Sequence, residues 1–321
     1  MMRISVVIPA FNEADSIRPL TDRLLSALAP LGTHEVILVN DGSTDGTEKE
    51  LESVRAEHPG IVKAIHLRTN CGKSVALQAG FNESSGEIIV MMDADLQDQP
   101  EEIPKLVQAL GERGLDAVSG WKVRRQDPFI KTLLSSGFNL MARQMSGIEI
   151  HDFNCGLKAF YRECMQSFFL YGQLHRFILM FIAAHGFKVG EVEVWHSPRR
   201  YGRSKYGVKR IYHGFMDLLT VFFITRFLGS PLYFFGFYGV SAIAVAVPMG
   251  AFFVCMHFLS FFNGNPAWRL AEHPLWILSP VLFSIGVAMI FFGLIGELVT
   301  YHIMFPKNYG AYIRKDKEGN G

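Results

Sequence analysis

Two carboxylates on alternate residues, Asp93 and Asp95, follow the apolar run EIIVMM (Glu87–Met92). A hard divalent cation takes oxygen ligands, and a pair placed this way suits one that also grips a diphosphate. Asp-x-Asp alone is common in loops. Its position directly after a buried-strand pattern gives it weight against the plainer reading, a solvated loop capping a helix ahead of Pro100.

Three further groups of residues carry chemical potential. DGSTDGTEKELE (Asp41–Glu52) meets most requirements of a calcium loop, with Asp41, Ser43, Asp45, Gly46 and Glu52. A β-type run precedes it instead of a helix, and Glu48 stands where such loops are usually apolar. The better reading is a strand end whose Asp41 points into a nucleotide site, followed by a helix capped by Thr44 or Asp45. Lys122, Arg124, Arg125 and Lys131 precede an apolar pattern of helical spacing, with Ser135 one turn beyond Lys131. That segment suits either a membrane-surface helix with a phosphate-binding edge or an ordinary solvated basic face. RRYGRSKYG (Arg199–Gly207) sets four cations beside two tyrosines and two glycines. A basic loop next to a membrane can bind a lipid phosphate, or simply anchor the chain on the positive side. His151-Asp152 precedes FNCGLKAFYR, where a lone Asp is most often a turn residue; His175, His185 and His196 lack metal-ligand spacing and read as structural.

The elements that position these groups alternate. Ile4–Pro9, Glu35–Asn40, Val62–Leu67 and Glu87–Met92 read as buried strands. Helical stretches from Ser16 to Leu28, up to His58, and from Lys73 to Asn82 lie between them. Continuous apolar strands separated by helices imply an α/β fold with a mostly parallel sheet covered on both faces. In such sheets ligands bind at the carboxyl ends of the strands. Asn12 and Glu13, Asp41, and Asp93 with Asp95 all fall there. No GxGxxG and no GxxxxGK[ST] occurs.

Charge is balanced, 31 Lys+Arg against 30 Asp+Glu, and no basic stripe with interleaved aromatics points to nucleic acid. The apolar excess gathers near the end of the chain. No charged residue separates Arg226 from Arg269, or Glu272 from Glu297. Runs of this length predict two transmembrane helices, about 232–261 and 275–304, with Pro248 inside the first. The alternative, a pair of core helices, conflicts with the lack of charged faces. The N-terminal apolar run is too short for a signal peptide. Cations flank the outer ends of the pair, Arg199 to Arg210 before it and Lys307, Arg314, Lys315 and Lys317 after it, so both termini are expected in the cytoplasm. The resulting plan is a catalytic domain over 1–208 with a surface helix at about 129–146, a juxtamembrane amphipathic helix over 209–228, the spans within 229–306, and a basic tail over 307–321. The four cysteines, Cys71, Cys155, Cys164 and Cys255, form no CxxC pair and read as reduced thiols.

Taken in order, VVIPAFNE, VNDGSTDGT, MMDADLQDQP, FNCGLKAFYR and RYGRSKYG resemble the family 2 glycosyltransferases of the polyprenyl-phosphate type. The resemblance implies a GT-A fold, a nucleotide-sugar donor (UDP before GDP), Mg²⁺ or Mn²⁺, a polyprenyl-phosphate acceptor and an inverting single displacement at the inner membrane. By position, Pro9, Asn12, Glu13 and Asp41 would hold the nucleoside. Asp93, Asp95 and Gln97 would hold metal and diphosphate. Lys131, Ser135, Arg203 and Lys205 would hold the acceptor phosphate, and Asp152 would sit near the sugar as a second catalytic carboxylate beside Asp95. A homo-oligomer such as a tetramer is compatible. Gln173-Leu174-His175-Arg176-Phe177 comes close to a motif of processive synthases, but two spans are too few for a polymer channel. Transfer to another membrane lipid such as diacylglycerol, with Asp152 as base, and a non-catalytic membrane scaffold are the competing readings.

Overall fold

A computed structural model describes residues 3–122, 129–196, 208–227, 229–263 and 274–304. Two compact units emerge. One runs to Phe222 and the other begins at Phe223.

The first unit is built on a mixed sheet of seven strands among the described residues. They are β1 (Ile4–Ala10), β2 (His34–Asn40), β3 (Val62–His66), β4 (Ile88–Met91), β5 (Ala117–Trp121), β6 (Lys158–Tyr161) and β7 (Val189–Glu193), in the order β3-β2-β1-β4-β6-β5-β7. The first four are parallel, as the alternation of strand and helix requires. Strand β6 is antiparallel to both β4 and β5, and β7 pairs parallel with β5.

Helices α1 (Ala14–Leu28), α2 (Thr47–Glu57) and α4 (Ile103–Glu112) supply Ile17, Leu20, Leu24, Leu51, Val54, Ile103 and Leu106 to one core. That core also holds Val6, Ile8, Val36, Leu38 and Val90 from the strands. Helix α3 (Lys73–Glu83) carries buried Leu77 and Phe81. Phe81 meets Phe160 of β6 edge-on, with ring centroids 5.5 Å apart, and both meet Phe168. Burial on both faces explains why β1, β2 and β4 are continuous apolar runs. Helix α5 (Phe129–Ser146) occupies the stretch expected for the surface helix, and α6 (Ile178–Ala184) precedes β7.

Helix α7 (Val208–Phe227) occupies the stretch expected to form the amphipathic helix over 209–228. In the second unit, α8 (Pro231–Asn263) and α9 (Leu278–Met304) are long and apolar enough to cross a membrane, and α8 is continuous through Pro248. They approach closely where a Cβ on either Gly239 or Gly286 would stand 2.7 Å from the other's carbonyl oxygen. Ser279 Oγ donates to Ala246 O at 2.8 Å, and the Leu232 N–H donates to Glu297 Oε2 at 3.4 Å.

Candidate active site

The parallel register of β1, β2 and β4 sets their carboxyl ends side by side. Ala10 lies opposite Asn40, and Val7 opposite Met91. The chain leaves these ends as Asn12-Glu13, Asp41 and Asp93-Ala94-Asp95, so the sequence-predicted polar groups share one edge of the sheet.

The first two groups brace each other. Asn12 is left-handed at φ 56°. Its N–H donates to Ser43 Oγ at 3.0 Å, and its Oδ1 accepts from the Thr44 N–H at 2.8 Å. The Glu13 N–H donates to Thr47 Oγ1 at 2.9 Å, and its carboxylate accepts from Ser16 Oγ at 3.0 Å. Asp41 is 3% exposed, and its carboxylate accepts from the N–H groups of Cys71, at 2.7 Å, and Gly72, at 3.0 Å. Asp45 accepts from the Thr47 N–H at 2.9 Å, opening α2. Asp41 and Asp45 thus serve separate backbone turns and do not converge as a calcium loop would require. Pro9 lies within β1, opposite Val39.

The third group is electrostatically dense. Asp93 is paired with Lys73, the first residue of α3. Asp95 Oδ1 accepts from the Gln97 N–H at 3.2 Å, and Leu96 between them is left-handed at φ 60°. Strain of this kind gathers where a loop must present side chains in a fixed direction. Asp98 is 3% exposed. Its Oδ1 stands 3.3 Å from Lys122 Nζ and 3.4 Å from His196 Nδ1. Its buried Oδ2 has no hydrogen-bond partner among the described residues. Burial opposes the charged form of Asp98, but Lys122, then His196 and Lys73, hold its carboxyl well below the usual range. Burial likewise opposes the charge on Lys122, and Asp98, Cys155, Asp152 and Asp93 outweigh it, so its pKa is raised.

Gly156 lies between two of these carboxylates. A Cβ there would collide with Asp98 Oδ2 and stand 2.9 Å from Asp93 Oδ2. The glycine of FNCGLK therefore allows both carboxylates to pack against its backbone. Beside it, Lys158 of β6 is 1% exposed and donates to the Cys155 carbonyl, and burial lowers its pKa. Burial pushes the Cys155 thiol up to about 12, which leaves it protonated and inert.

Asp152 is 1% exposed, and its Oδ1 accepts from the Asn154 N–H at 3.1 Å, closing the turn into β6. The preceding His151 stacks on Trp121 with centroids 4.3 Å apart, and its N–H donates to Glu191 Oε2 at 2.7 Å. Asn139 Nδ2 on α5 donates to the His151 carbonyl at 2.8 Å.

Lys131 and Ser135 belong to α5, but their side chains lie outside the described residues, as do Arg203 and Lys205 entirely. Lys73, Asp98, Gly156 and Lys158 join the site without having been singled out by sequence. His196, read there as structural, pairs with Asp98. His175 meets Ser74 Oγ at 2.9 Å from its Nδ1, beside Lys73.

The family description Glycosyl transferase family 2 matches residues 5–169. A dodecaprenyl-phosphate galacturonate synthase of Rhizobium johnstonii is 33% identical over 94% of this chain and 89% of its own. An undecaprenyl-phosphate 4-deoxy-4-formamido-L-arabinose transferase of Yersinia pestis is 32% identical over 92% of this chain and 88% of its own. Among solved structures, glucosyl-3-phosphoglycerate synthase of Mycobacterium tuberculosis, in complex with Mn²⁺, UDP-glucose and phosphoglyceric acid, aligns with a TM-score of 0.53. It is 21% identical and covers 69% of this chain and 80% of its own. Mannosyl-3-phosphoglycerate synthase of Rubrobacter xylanophilus gives 0.54 at 18% identity, over 69% and 73%. These structural likenesses carry the GT-A fold. With the domain matched and the relatives aligned nearly end to end, the chain belongs to glycosyltransferase family 2 and is a glycosyltransferase.

Proposed function

We propose that this enzyme transfers a sugar from a nucleoside-diphosphate donor to the phosphate of a polyprenyl phosphate, by a single inverting displacement at the cytoplasmic face of the inner membrane. The observation that carries this reading is the similarity, over 94% and 92% of the chain, to two transferases named for polyprenyl-phosphate products or acceptors. Two apolar helices of membrane-spanning length support a lipid acceptor.

A divalent cation fits the site. Asp93 and Asp95 offer carboxylates at the end of β4, and Gly156, lacking a side chain, lets the Asp93 and Asp98 carboxylates approach its backbone. Asp93 and Asp95 would hold Mg²⁺ or Mn²⁺, with Gln97 beside them, and the ion when bound supplies neutralisation for the departing diphosphate. The chain does the rest. Pro9, Asn12, Glu13 and Asp41 border the nucleoside, UDP being the expected donor base. Lys73, which pairs with Asp93, would share the charge of the diphosphate. Lys131, Ser135, Arg203 and Lys205 bring in the acceptor phosphate, and Asp152 borders the sugar. A phosphate acceptor is ionised at neutral pH, so placement and relief of charge repulsion matter more than a general base.

Purified protein in detergent, given Mn²⁺, undecaprenyl phosphate and a panel of labelled UDP- and GDP-sugars that includes uronic and amino-sugar donors, should place label in the organic phase from one of them. Chelation and Asp95→Asn should each abolish it. Label that appears regardless of both would refute the assigned site. Silence from all donors, with donor binding absent, would favour the scaffold reading.

A further inference from the structure

Asp98 is a buried carboxylate that none of the proposed roles uses. Its surroundings come from four segments. It lies in the loop that follows β4, three residues after Asp95. Lys122 Nζ, 3.3 Å away, belongs to the first residue past β5. His196, whose Nδ1 is 3.4 Å away, is three residues past β7, and the backbones of Asp98 and His196 also pair as an isolated antiparallel bridge. The second oxygen faces Gly156, across which lies Asp93. One side chain therefore touches the metal loop, the exits of β5 and β7, and the glycine turn into β6.

The covalent order gives this junction its meaning. Lys122 leads into the segment that reaches Lys131 and Ser135, and His196 leads into Arg199–Gly207, with Arg203 and Lys205. We propose that Asp98 is a positioning residue that couples the donor loop to the two acceptor-binding segments, by fixing Lys122 and His196 where those segments leave the sheet. The inference rests on the polyprenyl-phosphate reading above. Asp98 does not touch the reacting atoms in this account. Its work is to hold two exits in register with Asp93 and Asp95.

The Lys122 side chain is 15% exposed, and its counter-ion Asp98 is 3% exposed. A buried pair loses most when one partner alone is removed, because an uncompensated charge is left behind; removing both costs less. Asp98→Asn should therefore lower the Tm more than Asp98→Asn combined with Lys122→Met.

The test uses the full-length protein in detergent with Mn²⁺, the donor identified by the panel, and undecaprenyl phosphate. For Asp98→Asn the KM for undecaprenyl phosphate should rise at least about tenfold, while the KM for donor and the affinity for UDP with Mn²⁺ stay within about twofold. The Asp98→Asn, Lys122→Met double variant should regain stability but keep the raised acceptor KM, because the tie is then missing at both ends. A general structural defect from the unpaired charge would instead move donor and acceptor terms together, and both would recover in the double variant. Equal losses for donor and acceptor, or an acceptor KM unchanged in Asp98→Asn, would overturn the coupling role. Should the wild type bind UDP with Mn²⁺ yet neither bind nor glycosylate undecaprenyl phosphate, the acceptor reading fails and this inference falls with it. Wild-type transfer with an unaltered Asp98→Asn profile removes the inference alone.

Discussion

Single atoms decide much of this site. Gly156 is the sharpest case, because any Cβ would intrude between Asp98 and Asp93. Gly156→Ala should lower kcat/KM by about 100-fold through a displacement of the carboxylates, since catalytic groups misplaced by about 1 Å lose that much. Circular dichroism should show the fold intact, and an active Gly156→Ala would remove the crowding argument. Glu35 illustrates a residue of stability alone. It is fully buried at the start of β2, where burial would raise its pKa. Donation from Lys63, Ser5 and Ser85 outweighs that and holds it at about 2, below the ordinary 4.5. Because the folded state binds this proton more weakly than the unfolded state, the contribution is complete above pH 4.5. It fades as the pH falls toward 2. Glu35→Gln should accordingly have a lower Tm at pH 7 and a shallower fall in Tm between pH 4.5 and 2, measured by thermal unfolding across that range.

At the scale of elements, the early part of the chain was legible because both faces of the parallel strands are buried. Hydrophobic runs such as ISVVIP and EVILVN have no other economical place to go. The polar residues that break those runs then fall at strand ends, and so Asn12, Asp41 and Asp93 could be located from order alone. What order does not reveal is partnership across the sheet. Lys73 and Asp93, or Asp98 with Lys122 and His196, are apart in sequence and meet because the start of α3 and the exits of β4, β5 and β7 share the carboxyl edge of the sheet. The DGSTDGT segment looked ambiguous for a related reason. A calcium loop and a strand-to-helix turn use the same residue types, and only the hydrogen bonds of Asp41 and Asp45 separate them. The clamp between the first two loops makes its own prediction. Asn12→Ala loses the acceptor for the Thr44 N–H and keeps a left-handed backbone that alanine disfavours, whereas Asn12→Gly loses only the acceptor. The alanine variant should be less stable by about 1–3 kcal/mol than wild type, with glycine intermediate, as read by denaturant unfolding.

At the scale of the whole molecule, a GT-A unit shares one chain with a pair of apolar helices. The hairpin owes its close approach to Gly239 and Gly286, so Gly239→Leu should overpack it by about 1–3 kcal/mol and lower the detergent-solubilised Tm. An unchanged Tm would mean that the two helices separate without cost. The central claim, however, concerns what the membrane delivers to the active site. The most direct measurement offers one donor with three acceptors in matched detergent: undecaprenyl phosphate, undecaprenol and diacylglycerol. The account predicts product only from the phosphate, lost in Asp95→Asn, and formed across pH 6 to 8 because an ionised phosphate needs no general base. Product from undecaprenol or diacylglycerol, lost in Asp152→Asn, would contradict it and identify a hydroxyl acceptor activated by that carboxylate.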